Sequence, residues 1–154
     1  MTTALTILIG LIIVMTVYFF ILGHISRSRR ALGLDGGKLA RCANKPNCVC
    51  SEYGDDTTHF VPALKVGDHV DAALVTIKTI IQDQGGTLQV EESNYLAFTF
   101  TSSLFGFVDD VEVRLDAEAR LLHIRSASRV GHSDLGVNKK RIEAIRNALE
   151  KALR

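Results

Sequence analysis

The side chains best suited to chemistry lie in one stretch near the C-terminus, Arg125-Ser-Ala-Ser-Arg-Val-Gly-His-Ser-Asp-Leu-Gly-Val-Asn-Lys-Lys-Arg-Ile142. Arg125 and Arg129 are of the type that takes anions, because a guanidinium offers paired donors to a carboxylate or phosphate. His132, Ser133 and Asp134 are the residue types of a hydrolase triad. Adjacent residues cannot align nucleophile, base and orienter, so Asp134 reads instead as a turn or cap residue. The loop 131–136 leads into a helix start, whose free amides suit an anion. Upstream, Asp109, Asp110 and Glu112 lie opposite this stretch in the expected sheet register.

Positioning these groups requires a sheet and two helices. Residues 68–84 read as a helix with an apolar stripe of Val70, Ala73, Leu74, Ile77, Ile80 and Ile81. Asp68 would cap it and Gly85 would end it. Four alternating runs follow at 87–92, 94–101, 107–116 and 121–130, joined by short connections. They predict an antiparallel meander. A last helix begins near Asn138, a fair N-cap, with Ile142, Ile145, Leu149 and Leu153 as its stripe. The fold class is therefore α+β, with both helices on one sheet face and the other face open.

Alternation then sorts the charges. With the last hairpin turn at 117–120, Glu112 faces Arg125, Arg114 faces His123, and Asp110 lies diagonal to Arg125 and Arg129. The same open face would carry Gln89, Glu91, Tyr95, Thr99 and Thr101, with Leu88 and Val90 on the core side. As plain structure this is a solvated face with cross-strand ion pairs. As a site, Arg125 and Arg129 bind an anion and Asp110 and Glu112 orient them. Asp109 has the parity of Phe107, Val111 and Val113 and sits opposite Ser128. It must be hydrogen-bonded there, with Ser126, Ser128 and the 131–136 amides as expected partners.

The N-terminal end is of another kind. Residues 1–23 carry no charged side chain, and Ala4 to Leu22 is apolar throughout. A helix of this length spans a bilayer's hydrocarbon core. The start is uncharged and no good cleavage site follows, which favours a retained anchor over a secretory leader. This divides the chain into an anchor (1–25), a basic linker (26–37) and a domain (38–154). Arg27, Arg29, Arg30, Lys38, Arg41 and Lys45 follow the apolar run against Asp35 alone, which places the domain in the cytoplasm. Cys42, Cys48 and Cys50 pull the other way, since the turn 44–47 could fold Cys42 onto Cys48, and a disulfide implies an oxidising compartment. Three reduced thiols are the equally plain alternative. We give the charge count the greater weight and leave the side open.

Pro46-Asn-Cys-Val49, Phe107-Val-Asp-Asp-Val111 and the stretch 125–142 resemble the family of proteins of unknown function numbered 1499, over roughly residues 40–150. Its members often follow a membrane or export segment. The resemblance points to Cys42, Cys48, Asp109, Asp110, Arg125, Ser126, Ser128, Arg129, Gly131, Asp134, Gly136, Asn138 and Arg141. It leaves Cys42 and Cys48 as a pair and Cys50 as the odd thiol, where the family pattern has serine. It implies no activity.

The function these residues suggest is a single-pass membrane module that binds a small anionic ligand or an envelope partner. Its ligand residues would be Arg125, Arg129, Ser128, Asp110 and His132, and its brackets Asp109, Asp134 and Asn138. The alternative is a hydrolase using Asp109 or Asp110 with His132, and the balance is against an enzyme. We expect no cofactor, metal or nucleic-acid partner. The partners are membrane lipid, through residues 4–22, and an unidentified protein or small molecule.

Overall fold

The computed structural model describes residues 2–154. Its elements are α1 (Thr2–Ser28), β1 (Leu34–Asp35), β2 (Lys38–Leu39), β3 (Cys48–Cys50), β4 (Leu64–Lys65), α2 (Val70–Asp83), β5 (Thr87–Glu91), β6 (Tyr95–Thr101), β7 (Val108–Asp116), β8 (Leu121–Ser128) and α3 (Val137–Ala152). The class is α+β, as the sequence predicts. The main sheet has six strands rather than four, in the order β3-β8-β7-β6-β5, with β4 also pairing β8. The two added strands are three and two residues long, too short to show a period of two.

The core lies between the sheet and the pair α2 and α3. Phe98, Val111, Val113, Leu122 and Ile124 of the sheet meet Ile77, Ile81, Ile142, Ile145 and Leu149 of the helices. The register of β7 and β8 is the expected one, with Glu112 opposite Arg125 and Asp109 opposite Ser128. At β5 the register shifts between Leu88 and Val90, so Val90 faces Ala97 and Glu91 faces Leu96. This bulge reverses the expected sides: Val90 leaves the core face, and Glu91 joins it to pair with Lys78 at 2.8 Å. Phe107, expected within a strand, precedes β7 and packs its ring on Phe105 and Phe19.

The second sheet face is open only near β5. Over β6, β7 and β8 it is covered by the chain that follows α1. Leu39, Cys50, Tyr95 and Ala97 form a small second core there, with Ala31, Leu34, Cys42 and Tyr53 against it. The expected solvated face is thus mostly interior.

α1 is continuous for 27 residues, about 40 Å at 1.5 Å per residue. It has the length and apolarity to cross a membrane, and none of its most apolar 18-residue window is buried. Its last two turns are built into the domain. Ser26 is buried, and its Oγ accepts from the Val108 amide at 2.8 Å. At Gly23 a Cβ would lie 1.9 Å from the Phe105 carbonyl oxygen, so only glycine permits this approach.

Candidate functional site

Two residues apart on β7, Asp110 and Glu112 project to the covered face, while Asp109 projects to the helices. Glu112 is fully buried. Its carboxylate accepts from the Tyr95 hydroxyl at 2.7 Å, Arg125 Nη1 at 2.6 Å and the Gly33 amide at 2.8 Å. Burial, and then the negative charge of Glu112, push the Tyr95 phenol far above its ordinary range. The hydroxyl therefore stays a donor, and Glu112 ties the covering segment to the sheet.

Arg129 is tied into the structure through all three of its nitrogens. Its Nε and Nη2 clamp Asp110 at 2.9 and 2.7 Å, and Nη1 donates to the Ser26 carbonyl at 3.3 Å. It joins β7, β8 and α1, with each of its three nitrogens engaged. Arg125 differs. It is 6% exposed, and its Nε, also buried, has no hydrogen-bond partner among the described residues. An unpaired buried donor is costly, and a cationic one more so.

Arg125 is one of the residues lining a cleft of about 220 Å³ between β8 and the covering segment. Arg29, Arg30, Lys45 and Arg129 also line it, with Asp110, Asn47 and Ser128. Five cations thus line the cleft; Arg129 is paired with Asp110 and Arg125 with Glu112, while Arg29, Arg30 and Lys45 have no carboxylate partner among the described residues. The neighbouring Cys42 and Cys48 are bonded, with Cα atoms 5.7 Å apart. The bond closes the loop that carries Lys45, and His59 pins that loop, with Nε2 3.0 Å from the Lys45 carbonyl and Nδ1 2.8 Å from Asp56.

The expected brackets sit on the helix side. Asp109 pairs with Arg141 at 2.8 Å, rather than with the serines or loop amides. Asn138 is not the N-cap; α3 begins after Gly136, and Asn138 lies inside its first turn. Its Nδ2 donates to the Asn47 carbonyl and Ser128 Oγ at 3.0 and 3.1 Å. The capping is done by Asp134, which accepts from the Gly136 and Asn138 amides at 3.0 and 2.7 Å. Asp68 does not cap α2 either; it faces Arg120 at 2.6 Å.

His132 borders a different cleft, beside α1, with Asp109, Ser133 and Asp134. Asp110 opens on the basic cleft instead. The two carboxylates named for a hydrolase thus serve different surfaces, and each is held by an arginine. Ser51, His123 and Glu52 form a second triad-like group, but Ser51 Oγ and Glu52 both approach His123 Nδ1, at 3.3 and 3.6 Å. A base needs its two partners on opposite ring nitrogens. Glu52 belongs to Arg114 at 2.7 Å, which with burial's opposing effect overcome leaves the guanidinium above its usual pKa. Among the described residues no three of His, Cys, Asp and Glu are grouped to hold a metal.

Sequence reading did not find Arg30, Lys45, Tyr95 or His59 as parts of the site. The signal for Arg30 and Lys45, a basic run after an apolar segment, has a simpler use in fixing topology; alternation puts Tyr95 on the right face without a role, and nothing in the sequence around His59 marks one. Fold and site together define a small α+β domain packed against the end of an apolar helix, with ion pairs layered through its sheet. The chain belongs to the family of proteins of unknown function DUF1499, which matches residues 38–149. No curated relative matches it.

Proposed function

We propose that this chain is a single-pass membrane-anchored module that holds a small anion, phosphate or a phosphate-bearing group, in the cleft between β8 and the covering segment. The buried, unpaired Nε of Arg125 carries this reading. It is a cationic donor without an acceptor, set among Arg30 and Lys45, which make no hydrogen bond through their side chains among the described residues. Arg125, Arg30 and Lys45 are the ligand contacts. Arg129 and Asp110 hold the wall, Ser128 faces the cleft with its hydroxyl engaged by Asn138, and His132 lies elsewhere.

Anchoring is supported by how α1 ends. A leader peptidase acting after residue 22 would leave Gly23 and Ser26 as a loose end, yet Gly23 is packed against Phe105 of the β6–β7 connection and Ser26 is hydrogen-bonded to Val108 of β7. The domain stands on the oxidising side. Two of the basic residues that argue for the cytoplasm have other employment, Arg29 donating to the Arg129 carbonyl at 2.8 Å and Arg41 to Asp55 at 3.0 Å. The Cys42–Cys48 bond has no such alternative reading. Impermeant maleimide applied to intact cells with a permeabilised outer layer should label the protein only after reduction. Three free thiols seen only on lysis would reverse the orientation.

The ligand reading is tested on the full chain in detergent. Inorganic phosphate should raise the melting temperature of the parent protein progressively and leave the R30A/K45A variant unmoved. Equal shifts in both, or none in the parent, would sink it. The hydrolase alternative has no comparable support, because neither carboxylate is free and no hydrogen bond joins His132 to either among the described residues.

A further inference from the structure

The loops flanking α1 at its domain end present leucines to solvent. Leu104, at the tip of the β6–β7 connection, is 70% exposed, and Leu135, before α3, is 89% exposed. Neither has a packing role. Leu135 also holds φ +55°, a left-handed backbone that leucine rarely adopts.

Both loops lie against the same part of α1. Phe105 packs its ring against Phe19, tilted, and Phe20, edge to face, both at ring-centroid distances of 5.3 Å. Tyr18, Phe19 and Leu22 share a cleft with Phe107 and with residues 130–134 and Val137. The connection 102–107, Ser-Ser-Leu-Phe-Gly-Phe, has no charged residue. Arg27 reaches over Gly106, where a Cβ would meet its guanidinium at 2.4 Å. The sequence along α1 is therefore apolar shaft, aromatic contact with the loops, then arginines. That is the order of a bilayer's hydrocarbon, interface and headgroups.

We infer that the 102–107 and 131–137 loops are a second membrane-binding surface, inserting Leu104 and Leu135 into the leaflet that α1 enters and fixing the domain against it. The occupant of this apolar surface is the bilayer itself, because it is continuous with the exposed shaft of α1. The inference rests on the anchor reading above but not on the anion cleft. Its consequence is orientation: Arg29 and Arg30 follow α1 directly, so the cleft opens at headgroup level.

The chain contains no tryptophan, so a single one reports its own depth. Full-length L104W, L135W, I12W and V75W variants are reconstituted in phosphatidylcholine–phosphatidylglycerol vesicles brominated near the top of the acyl chains. I12W reports the shaft, and V75W an exposed site on α2. L104W and L135W should be blue-shifted and quenched, as for side chains about 5–10 Å below the headgroup boundary, while V75W keeps aqueous emission. If either leucine variant behaves like V75W while I12W is quenched, two-loop docking is wrong and the anchor stands. If I12W is unquenched as well, the anchor reading fails and this proposal with it.

Discussion

Glu112 shows how one carboxylate organises a small domain. It has no water to fall back on, and each oxygen is taken, by Tyr95 and Gly33 on one side and Arg125 on the other. Removing it leaves a buried guanidinium without its counter-charge. E112A should lose about 3–5 kcal/mol in denaturant unfolding, and E112Q, which keeps an acceptor, clearly less. Equal stability of E112A and the parent would show that the covering segment does not depend on this carboxylate. Cys50 lies 2% exposed in the same layer, and burial pushes its thiol above the usual range, as it does the Tyr95 phenol. A folded-state pKa above the unfolded one gives stability that is complete below the unfolded value and lost as pH climbs past it. Stability should therefore fall from about pH 8.5, where an unfolded cysteine ionises, and again above about pH 10 for tyrosine. C50S should remove the first part of that fall in urea midpoints measured against pH; an unchanged profile would contradict this placement of the thiol.

At the scale of elements, regular patterns were legible and irregular ones were not. The two helices, the four long strands and the full β7–β8 register follow from periods of 3.6 and 2 and one turn position. β3 and β4 escaped because two or three residues carry no period, and the β5 bulge because nothing in Leu88-Gln-Val90 marks an extra residue. Asn138 misled because Asn is as good a cap as Asp; Asp134, four residues earlier, took the amide, and Asn138 was free to join α3 to β8 and the cysteine loop. The proposed anion site was half legible. Arg125 could be named from its type and strand position, whereas Arg30 and Lys45 reach it only through the path of the covering segment. The joint of α1 to the β6–β7 connection was not legible, since a glycine in an apolar helix has no distinctive context. It makes a sharp prediction. In G23A the new Cβ must push the Phe105 carbonyl away. Hydrogen exchange should then rise at residues 102–107 while β7 and β8 amides keep their protection. Unchanged exchange at the loop would mean that α1 and the domain are not rigidly joined.

For the whole molecule, net charge is only +1, yet its distribution is uneven, with cations gathered where α1 meets the domain. Most of the ion pairs in the sheet are closed systems: Arg129 with Asp110, Arg141 with Asp109, Arg114 with Glu52. Arg125 is also paired, with Glu112, but its Nε has no partner among the described residues, and the account stands on that atom. The direct measurement is the Nε–Hε resonance of Arg125 in the full chain, followed by nitrogen-edited NMR as phosphate is added. The account predicts a saturable downfield shift of this resonance, abolished in R30A/K45A, with Arg129 barely changed. A resonance that stays fixed while exposed arginines drift linearly with salt would contradict it, and the buried guanidinium would then be part of the sheet's structure alone.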